Sequence, residues 1–407
     1  MHGVREINGG QRPPKPTLSS EFRLVTACIR WPPSETRAEA IRKASSKPLD
    51  WSRVLRVAKR HQVIGLVHDG LTRARKEVPT DIATAFSTQA GLLVREDLAL
   101  AAEAARLQRS FDEAGLPLLF VKGTSLALLA YGKLGLRSAK DIDLLVPYEW
   151  LGAATALLAR SGYYRVDPPT DTSAATMRLL MPLRKDLDYV HESNGRHIEL
   201  HWRLFLNPLA MDETSIFADS RIVALAGSTG LRTLGDEDLF TYLCVHGARH
   251  WWYQLKWLAD VGAVLANAKD DLERFYRAAE ERSARRSAAQ AMLLCQQLLG
   301  TPLSATFSEE LAKTPRADWL QRTALNAMDV SCGDREPRKS RFGTTRGSLS
   351  VLLLGEGWRY RLAELRQLLI VATDVSMVPL PKGLWFLYPI LRLPLWVWRN
   401  LRRQYAR

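Results

Sequence analysis

The chain has 407 residues, of which 46% are hydrophobic and 25% charged, a composition typical of a globular protein with a sizeable core and not of a disordered one. Its formal net charge of +14 favours an anionic partner, which could be nucleic acid, nucleotide phosphates or an anionic membrane surface, and a basic surface without any partner is the alternative. No run of about 18 apolar residues occurs, which argues against a membrane-spanning helix.

The cysteines and the N-terminus bear on the compartment. Four cysteines are scattered without CxxC pairing, so neither a zinc knuckle nor a disulfide framework is expected. The first residues lack the apolar core of a signal peptide. These features predict a cytoplasmic protein with reduced thiols.

The first part of the chain has helical patterns after a short leader. Residues 1–18 are rich in Gly and Pro and are predicted to be a flexible leader. Further on, apolar residues such as Leu24, Val25 and Cys28 recur at helical spacing, which indicates helices with one buried face. We therefore predict a helical N-terminal region over 19–115.

The pattern changes at residue 116. The run LPLLFVKG is nearly all apolar and ends in Gly123, as expected of a buried strand, and two strand-like runs flank Asn194 and Gly195, a dipeptide that favours a hairpin turn. The predicted elements are a strand at 116–123, a helix at 124–134, a strand at 141–147, a helix at 148–161 and hairpin strands at 186–192 and 196–204. They predict the α+β class, with a small mixed-sheet core over 116–205 between helical regions.

Helical spacing returns at Asp236 and predicts a helical C-terminal domain over 206–330. A polar, basic loop is predicted over 331–348, and a helical tail rich in aromatic and basic residues over 349–407. The last part of this tail, 382–407, holds six Lys or Arg and no acid. This composition suits peripheral contact with an anionic membrane. Because prolines interrupt it, packing onto the protein's own helices is the favoured alternative.

Chemistry is expected first at Asp141 and Asp143, which form a DxD pattern on a predicted strand. Side chains two apart on a strand point to the same face, so the two carboxylates are expected side by side. They repel each other unless a cation or proton neutralises them. Mg²⁺ takes one or two carboxylates together with substrate phosphates. The pair therefore suits a magnesium–phosphate site, although DxD by itself is a weak signal.

Residues around the pair strengthen this interpretation. Gly123 lies at a strand-to-helix junction, where free backbone N–H groups could receive phosphate, and Glu199 lies in a later strand as a third carboxylate. The other candidates for nucleotide contacts are Lys122, Thr124, Ser125, Arg137 and Lys140. A cation, two hydroxyls and two further basic groups would all favour a bound triphosphate.

The ordered series FVKGTSLAL, GLRSAKDIDLLV and HIELHW resembles the polymerase-beta nucleotidyltransferase superfamily. Within it, the chain is most similar to an uncharacterised bacterial nucleotidyltransferase group whose first motif is Lys-Gly. The resemblance covers about 116–260, including LFTYLCVHGARHWWYQLKWLADVGAVL. It implies a polymerase-beta-like core, transfer of a nucleotidyl group from a nucleoside triphosphate (ATP being the preferred choice), and catalysis by two Mg²⁺ ions, with Mn²⁺ as a substitute.

The resemblance also implies residue roles. Asp141 and Asp143 match the DxD metal ligands, and Glu199 matches the third acid, so all three are the expected catalytic and metal-binding residues. Gly123 and Thr124 match the pair that cradles phosphate, with Thr124 in place of the more usual serine. The acceptor stays open among a small molecule, a protein and a nucleic acid, and the oligomeric state stays open as well.

Several alternatives remain open on the sequence. The core could be an inactive copy that binds an anionic partner, or the DxD could serve a glycosyltransferase, although that fold needs a larger sheet ahead of its DxD. His197, Glu199 and His201 share a strand face and could form a metal site. His246 and His250 lie one helical turn apart, and packing against nearby tryptophans is favoured over a zinc site. Asp260 could orient a histidine or line the cleft.

Overall fold

The structure is a computed structural model of the chain. It describes residues 17–227, 230–268, 271–334, 343–392, 394–395 and 398. The predicted leader therefore lies outside the described residues up to residue 16, as do residues 335–342 of the predicted basic loop and most of the last part of the tail.

The predicted helical N-terminal region is confirmed. Its helices are α1 Ser20–Cys28, α2 Glu35–Ala44, α3 Trp51–Arg60, α4 Ile64–Arg73 and α5 Thr80–Glu113. Ser19, Ser34 and Asp50 cap the first three through their side-chain oxygens, which satisfies backbone N–H groups that a helix start leaves free. The long helix α5 reaches from this bundle to the sheet.

One mixed sheet follows, in the strand order β3-β4-β5-β2-β1-β7-β6. Its strands are β1 Leu119–Phe120, β2 Asp141–Leu145, β3 Tyr163–Asp167, β4 Asp186–His191, β5 His197–His201, β6 Arg221–Val223 and β7 Leu231–Thr233. The pairs β2–β5 and β1–β7 are parallel, and the others are antiparallel. Three helices lie between the strands: α6 Thr124–Tyr131, α7 Leu151–Arg160 and α8 Ala174–Leu180.

The predicted strand at Asp141, the helices after Gly123 and Tyr148, and the hairpin are confirmed, with Gly195 at φ 67° in the hairpin turn. The first strand is shorter than its apolar run, although Val121 N still donates to Asp143 O at 3.1 Å. Strands β3, β6 and β7 lie outside the predicted set, and the last two carry the sheet beyond residue 205.

Helices form the rest of the described chain. They are α9 Asp236–Arg249, α10 Leu255–Asn267, α11 Leu272–Glu281, α12 Arg285–Leu294, α13 Ala305–Lys313, α14 Ala317–Met328, α15 Gly343–Leu354, α16 Gly357–Leu369 and α17 Ala372–Met377. The helical pattern that begins at Asp236 divides in two because Trp251 and Trp252 take positive φ angles of 57° and 54°. Helix α15 begins inside the predicted basic loop.

Two clusters of buried apolar side chains fix the position of the sheet between the helices. The larger joins the N-terminal helices to the C-terminal helices, and the other fills the space between the sheet and α5 and α7. Ile142, Leu144, Ile198 and Leu200 all point into the second cluster. Because strand side chains alternate, the acidic residues between them face the opposite side of the sheet.

All four cysteines are free. Among the described residues, no single helix is both long enough and apolar enough to cross a membrane. The segments Gly357–Met377 and Lys382–Arg392 reach that length and composition only together, across a bend of 115°.

Candidate functional site

Three neighbouring strands bring acidic side chains together on one face of the sheet. In the register of β2 and β5, Asp143 lies opposite Glu199, and in the register of β5 and β4, Glu199 lies opposite Asp188 and His201 opposite Asp186. Residues directly opposite on adjacent strands share a face, with Cβ atoms about 5 Å apart. The sheet therefore collects carboxylates that are far apart in sequence.

The tightest part of this face is formed by Asp143, Glu199 and His201, whose candidate ligand atoms all lie within 4.8 Å of one another. His201 Nε2 is 3.2 Å from Glu199 Oε2 and 3.5 Å from Asp143 Oδ1. Asp143 and His201 are buried, whereas the side chain of Glu199 is one third exposed. The group therefore has one side open to solvent.

Lys122 holds the two aspartates of the DxD pattern. Its Nζ lies 2.7 Å from Asp143 Oδ1 and 3.8 Å from Asp141 Oδ1. Burial opposes the charge of this lysine, but the charges of Asp143, Asp141 and Glu199 outweigh burial and raise the pKa of Lys122. The ammonium group thus supplies the cation that two adjacent carboxylates need.

The two aspartates respond differently to these surroundings. Burial and the charge of Asp143 raise the pKa of Asp141. Burial acts in the same direction on Asp143, yet Lys122 and His201 outweigh it and hold the pKa of Asp143 well below its usual range. Burial and Lys185 oppose the charge of His201, whereas its close contacts with Asp143 and Glu199 prevail and raise its pKa.

The glycine turn beside Lys122 starts helix α6. Gly123 has φ 75° and ψ −127°, a backbone conformation that residues with a Cβ rarely adopt. No side chain caps the helix, and Thr124 is its first residue. The buried Ser125 hydroxyl donates to the backbone oxygens of Phe120 and Lys122, at 3.3 Å each, so it fixes the turn from inside.

Arg137 and Lys140, the two basic residues before the DxD strand, lie in different places. Arg137 is buried, and its Nε donates to both carboxylate oxygens of the buried Asp260, at 3.2 and 3.0 Å. Tyr131 Oη donates to the same carboxylate at 3.0 Å. Lys140 is exposed next to Asp141. Asp260 therefore orients Arg137 through Nε rather than orienting a histidine. The phosphate contacts of Arg137 and Lys140 stay predictions.

Asp186 and Asp188 are acids on this face that were missed from the sequence. They form a second DxD pattern, DLD, on β4, and the same alternation argument that singled out Asp141 and Asp143 could have found them. Burial, followed by the charges of Asp186 and Glu199, raises the pKa of Asp188 to about 6. Lys185 and Arg184 lie beside the pair.

His246 and His250 from α9 lie near this face. Their rings are 4.7 Å apart and pack against Trp257 at 5.5 and 5.2 Å, as the favoured packing alternative predicts. Burial lowers the pKa of His246 well below its usual value and, together with Arg249, that of His250 to about 4. Both imidazoles are therefore neutral at neutral pH.

The residues present suit a bound cation. Both carboxylate oxygens of Asp143 and Nε2 of His201 are buried without a hydrogen bond to the described residues, so their contacts are ion pairs alone. Buried polar atoms without hydrogen bonds are costly unless a ligand satisfies them. Carboxylate oxygens suit Mg²⁺ or Mn²⁺, and the imidazole nitrogen adds a ligand that Mn²⁺ and Zn²⁺ accept more readily than Mg²⁺.

Comparison with known proteins gives one finding about this region. A family model described as uncharacterised nucleotidyltransferase matches residues 47–300, a span that contains the whole sheet and every side chain of the acidic face. No curated protein matches the chain.

Proposed function

Since the chain belongs to the family of uncharacterised nucleotidyltransferases, whose model matches more than half of its length, we propose that it transfers a nucleotidyl group from a nucleoside triphosphate to an acceptor at the acidic face. We propose ATP as the donor, two Mg²⁺ ions as cofactors with Mn²⁺ as a substitute, and a core of the polymerase-beta type. The acceptor is a small molecule, a protein or a nucleic acid, and the compartment is the cytoplasm.

The observation that carries the proposal is the convergence of Asp141, Asp143 and Glu199 beside the turn at Gly123. The acids come from two parallel strands, and the turn from the loop that precedes α6. A carboxylate group suited to cations and a helix start suited to phosphate thus lie side by side, which is the combination that a metal-bound triphosphate needs.

Asp141, Asp143 and Glu199 would hold the ions, with His201 next to them. When bound, the metal ions neutralise the triphosphate, stabilise the leaving pyrophosphate and lower the pKa of the attacking hydroxyl. Glu199 is the most exposed member of the Asp143–Glu199–His201 group, and we propose that it receives the proton of that hydroxyl.

Lys122 and the start of α6 would bind the phosphates. Before the nucleotide arrives, Lys122 balances Asp141 and Asp143; with cations present, that charge is no longer needed there and its ammonium group can donate to a phosphate oxygen. Thr124 is the first residue of α6, so its backbone N–H lies free at the helix start, where a phosphate is favoured, and we propose that its hydroxyl donates to the same phosphate. Lys140 adds an exposed positive charge.

The glycosyltransferase alternative is less well supported. Among the described residues before Asp141, the sheet contains the single short strand β1, whereas that alternative needs a nucleotide-binding sheet ahead of the DxD. Acceptor recognition by the flanking helices remains part of the proposal, with a core that starts at residue 116 as predicted but extends beyond residue 205 to include β6 and β7.

The test is incorporation of label from α-labelled ATP and the other triphosphates into fractions of cell extract, with Mg²⁺, with Mn²⁺ and with chelator. We expect incorporation that needs the metal and falls at least about 100-fold in Asp143→Asn, equivalent to about 3 kcal/mol of transition-state stabilisation. Asp171→Asn removes the same charge from an exposed loop position and serves as the matched control.

Two results would contradict the proposal. Full incorporation by Asp143→Asn would show that the acidic face is not the site of transfer. Metal-dependent ATP binding without incorporation into any fraction would instead favour the inactive, binding form of the core.

A further inference from the structure

Helix α16 turns an apolar stripe toward solvent. Trp358, Leu362, Leu365 and Leu369 follow one another at intervals of four, three and four residues, which places them on one face of a helix. Their side chains are 68%, 56%, 43% and 37% exposed. A contiguous exposed stripe of large apolar side chains is unusual on a soluble surface and marks a contact site.

The opposite face of α16 is fixed to the protein, so the stripe cannot simply rotate inward. Tyr360 and Glu364 are buried. Tyr360 Oη donates to Val351 O at 2.9 Å, and Glu364 accepts from Asn207 Nδ2 at 2.8 Å and from the guanidinium group of Arg249. A buried carboxylate held by an arginine and an amide gives the helix one orientation.

The next segment also exposes apolar side chains. Leu384, Phe386 and Ile390 are 42%, 66% and 70% exposed. Between them, Trp385 and Tyr388 pack into a small buried cluster with Leu180 and Val375. The exposed residues are therefore held outward by neighbours that anchor the segment to α8 and α17.

The exposed charges within residues 357–392 are all basic, and the exposed acid just before them, Glu356, lies 3.6 Å from Arg286. Within residues 357–392 the acids are Glu364 and Asp374, and both are buried. Arg359, Arg361, Arg366 and Lys382 are all exposed. Two of these arginines also lie over aromatic rings: Arg359 lies 5.8 Å from the ring of Trp358, and Arg366 lies 6.0 Å from that of Trp385.

We propose that this surface binds an anionic membrane peripherally. The surface combines the apolar stripe of α16 with the exposed side chains of Leu384, Phe386 and Ile390. Apolar side chains flanked by arginine are the composition of helices that lie in the plane of the headgroups. Tryptophan favours that interface, and basic residues near an anionic lipid surface strengthen the binding.

Two features favour a membrane over other occupants. The chain carries a net charge of +14, which disfavours a second copy of the same basic surface. The 115° bend between the segments and the two buried acids on the protein side suit contact along a membrane rather than passage through it. The surface lies outside the matched family span 47–300, so this inference does not depend on the proposed activity.

The experiment is flotation of the full chain with vesicles of phosphatidylcholine, and of phosphatidylcholine mixed with phosphatidylglycerol. We expect flotation with the anionic vesicles and at least about tenfold less with the neutral ones. Leu362→Glu combined with Leu365→Glu should reduce anionic binding at least about tenfold, because two charges replace the centre of the apolar stripe. Leu98→Glu, at a leucine of α5 that is 55% exposed, is the matched control and should float like the parent chain.

Circular dichroism of each variant establishes that it is folded. The inference is overturned if the parent chain does not float, if it floats equally with both kinds of vesicle, or if the Leu362→Glu, Leu365→Glu variant floats unchanged. Light scattering that shows a dimer lost in this variant, without flotation of the parent, would assign the surface to a second copy instead.

Discussion

Two groups of charged side chains adjoin the loop between α6 and β2. They differ in whether the protein itself satisfies their carboxylates. Around Asp143, carboxylates outnumber the cations, and buried oxygens lack hydrogen bonds to the described residues. Around Asp260, the carboxylate receives Arg137 on both oxygens and the Tyr131 hydroxyl on one of them. The first group is open to a ligand, and the second is satisfied by the protein itself.

This difference indicates that the Asp143 group is the candidate site and that the Arg137–Asp260 pair helps to hold the loop next to it. Arg137, which the sequence associates with phosphate, is in this structure the partner of a carboxylate on α10, and the pair fixes the loop that leads to the DxD strand. Both oxygens of Asp260 accept hydrogen bonds, so this carboxylate has little to offer a cation. The incomplete group around Asp143 gains most from a bound cation.

The largest expected effect on stability is at the Arg137–Asp260 pair, which is the closed group because the protein itself satisfies its carboxylate. Replacing one member of a buried pair strands the other charge, so we expect Asp260→Ala and Arg137→Met each to lower the free energy of unfolding by about 3–5 kcal/mol. Urea unfolding followed by circular dichroism measures this change. Lys140→Met, which removes an exposed charge three residues from Arg137, should change it by less than about 0.5 kcal/mol.

A loss below about 1 kcal/mol in Asp260→Ala would contradict the view that this pair is structural. In that case, Asp260 would hold Arg137 only weakly, and Arg137 could turn toward a ligand, in line with its predicted phosphate contact.

The same comparison explains how far the sequence could be interpreted. Period-two alternation correctly placed Asp141 with Asp143 on one face of β2, and Glu199 with His201 on one face of β5, because a strand's alternation is local. The pairing of Asp143 with Glu199 comes from the register between these strands, which alternation does not give. The partners of Arg137 and Lys122 could not be predicted in this way. Asp260 is 123 residues from Arg137, and its position depends on how α10 packs against α6.

Short strands were the other limit. Strands β6 and β7 have three residues each and join the sheet through β1. Because alternation of apolar and polar residues needs at least about four residues to be recognised, the sequence does not predict them. Asp186 and Asp188 could have been predicted as site residues from the sequence, because they repeat the DxD spacing on the predicted strand at 186–192. Their place beside Glu199 follows from the hairpin register.

A second effect concerns Asp97, a buried carboxylate on α5 that accepts a hydrogen bond from Gly135 N at 2.8 Å, in the same loop as Arg137. Burial raises the pKa of Asp97 to about 6, despite this hydrogen bond and the charge of Arg137. The folded state therefore binds the proton more tightly than the unfolded chain does. Stability from this group is present at low pH and is lost as the pH rises through about 6, a change of about 1–2 kcal/mol.

Asp97→Asn should remove this contribution, because the amide can still accept from Gly135 but carries no charge. Unfolding at a series of pH values between about 4 and 7 would show a shallower dependence in the variant than in the parent. Identical slopes would mean that Asp97 is solvated like a surface acid.

The smallest expected change in stability concerns the open group around Asp143. It distinguishes Asp141 from Asp143, because their substitutions should change the free energy of unfolding in opposite directions. Because burial and Asp143 raise the pKa of Asp141, the folded protein holds this carboxylate less favourably than the unfolded chain does. Asp141→Asn should therefore raise the free energy of unfolding by about 0.5–1 kcal/mol while abolishing transfer. Asp143→Asn should lower stability instead, because Lys122 and His201 favour the Asp143 carboxylate. Thermal unfolding of both variants without metal checks the signs. If both substitutions destabilise the protein equally, the protein satisfies both aspartates as fully as it satisfies Asp260. The distinction between an open and a closed group would then be wrong.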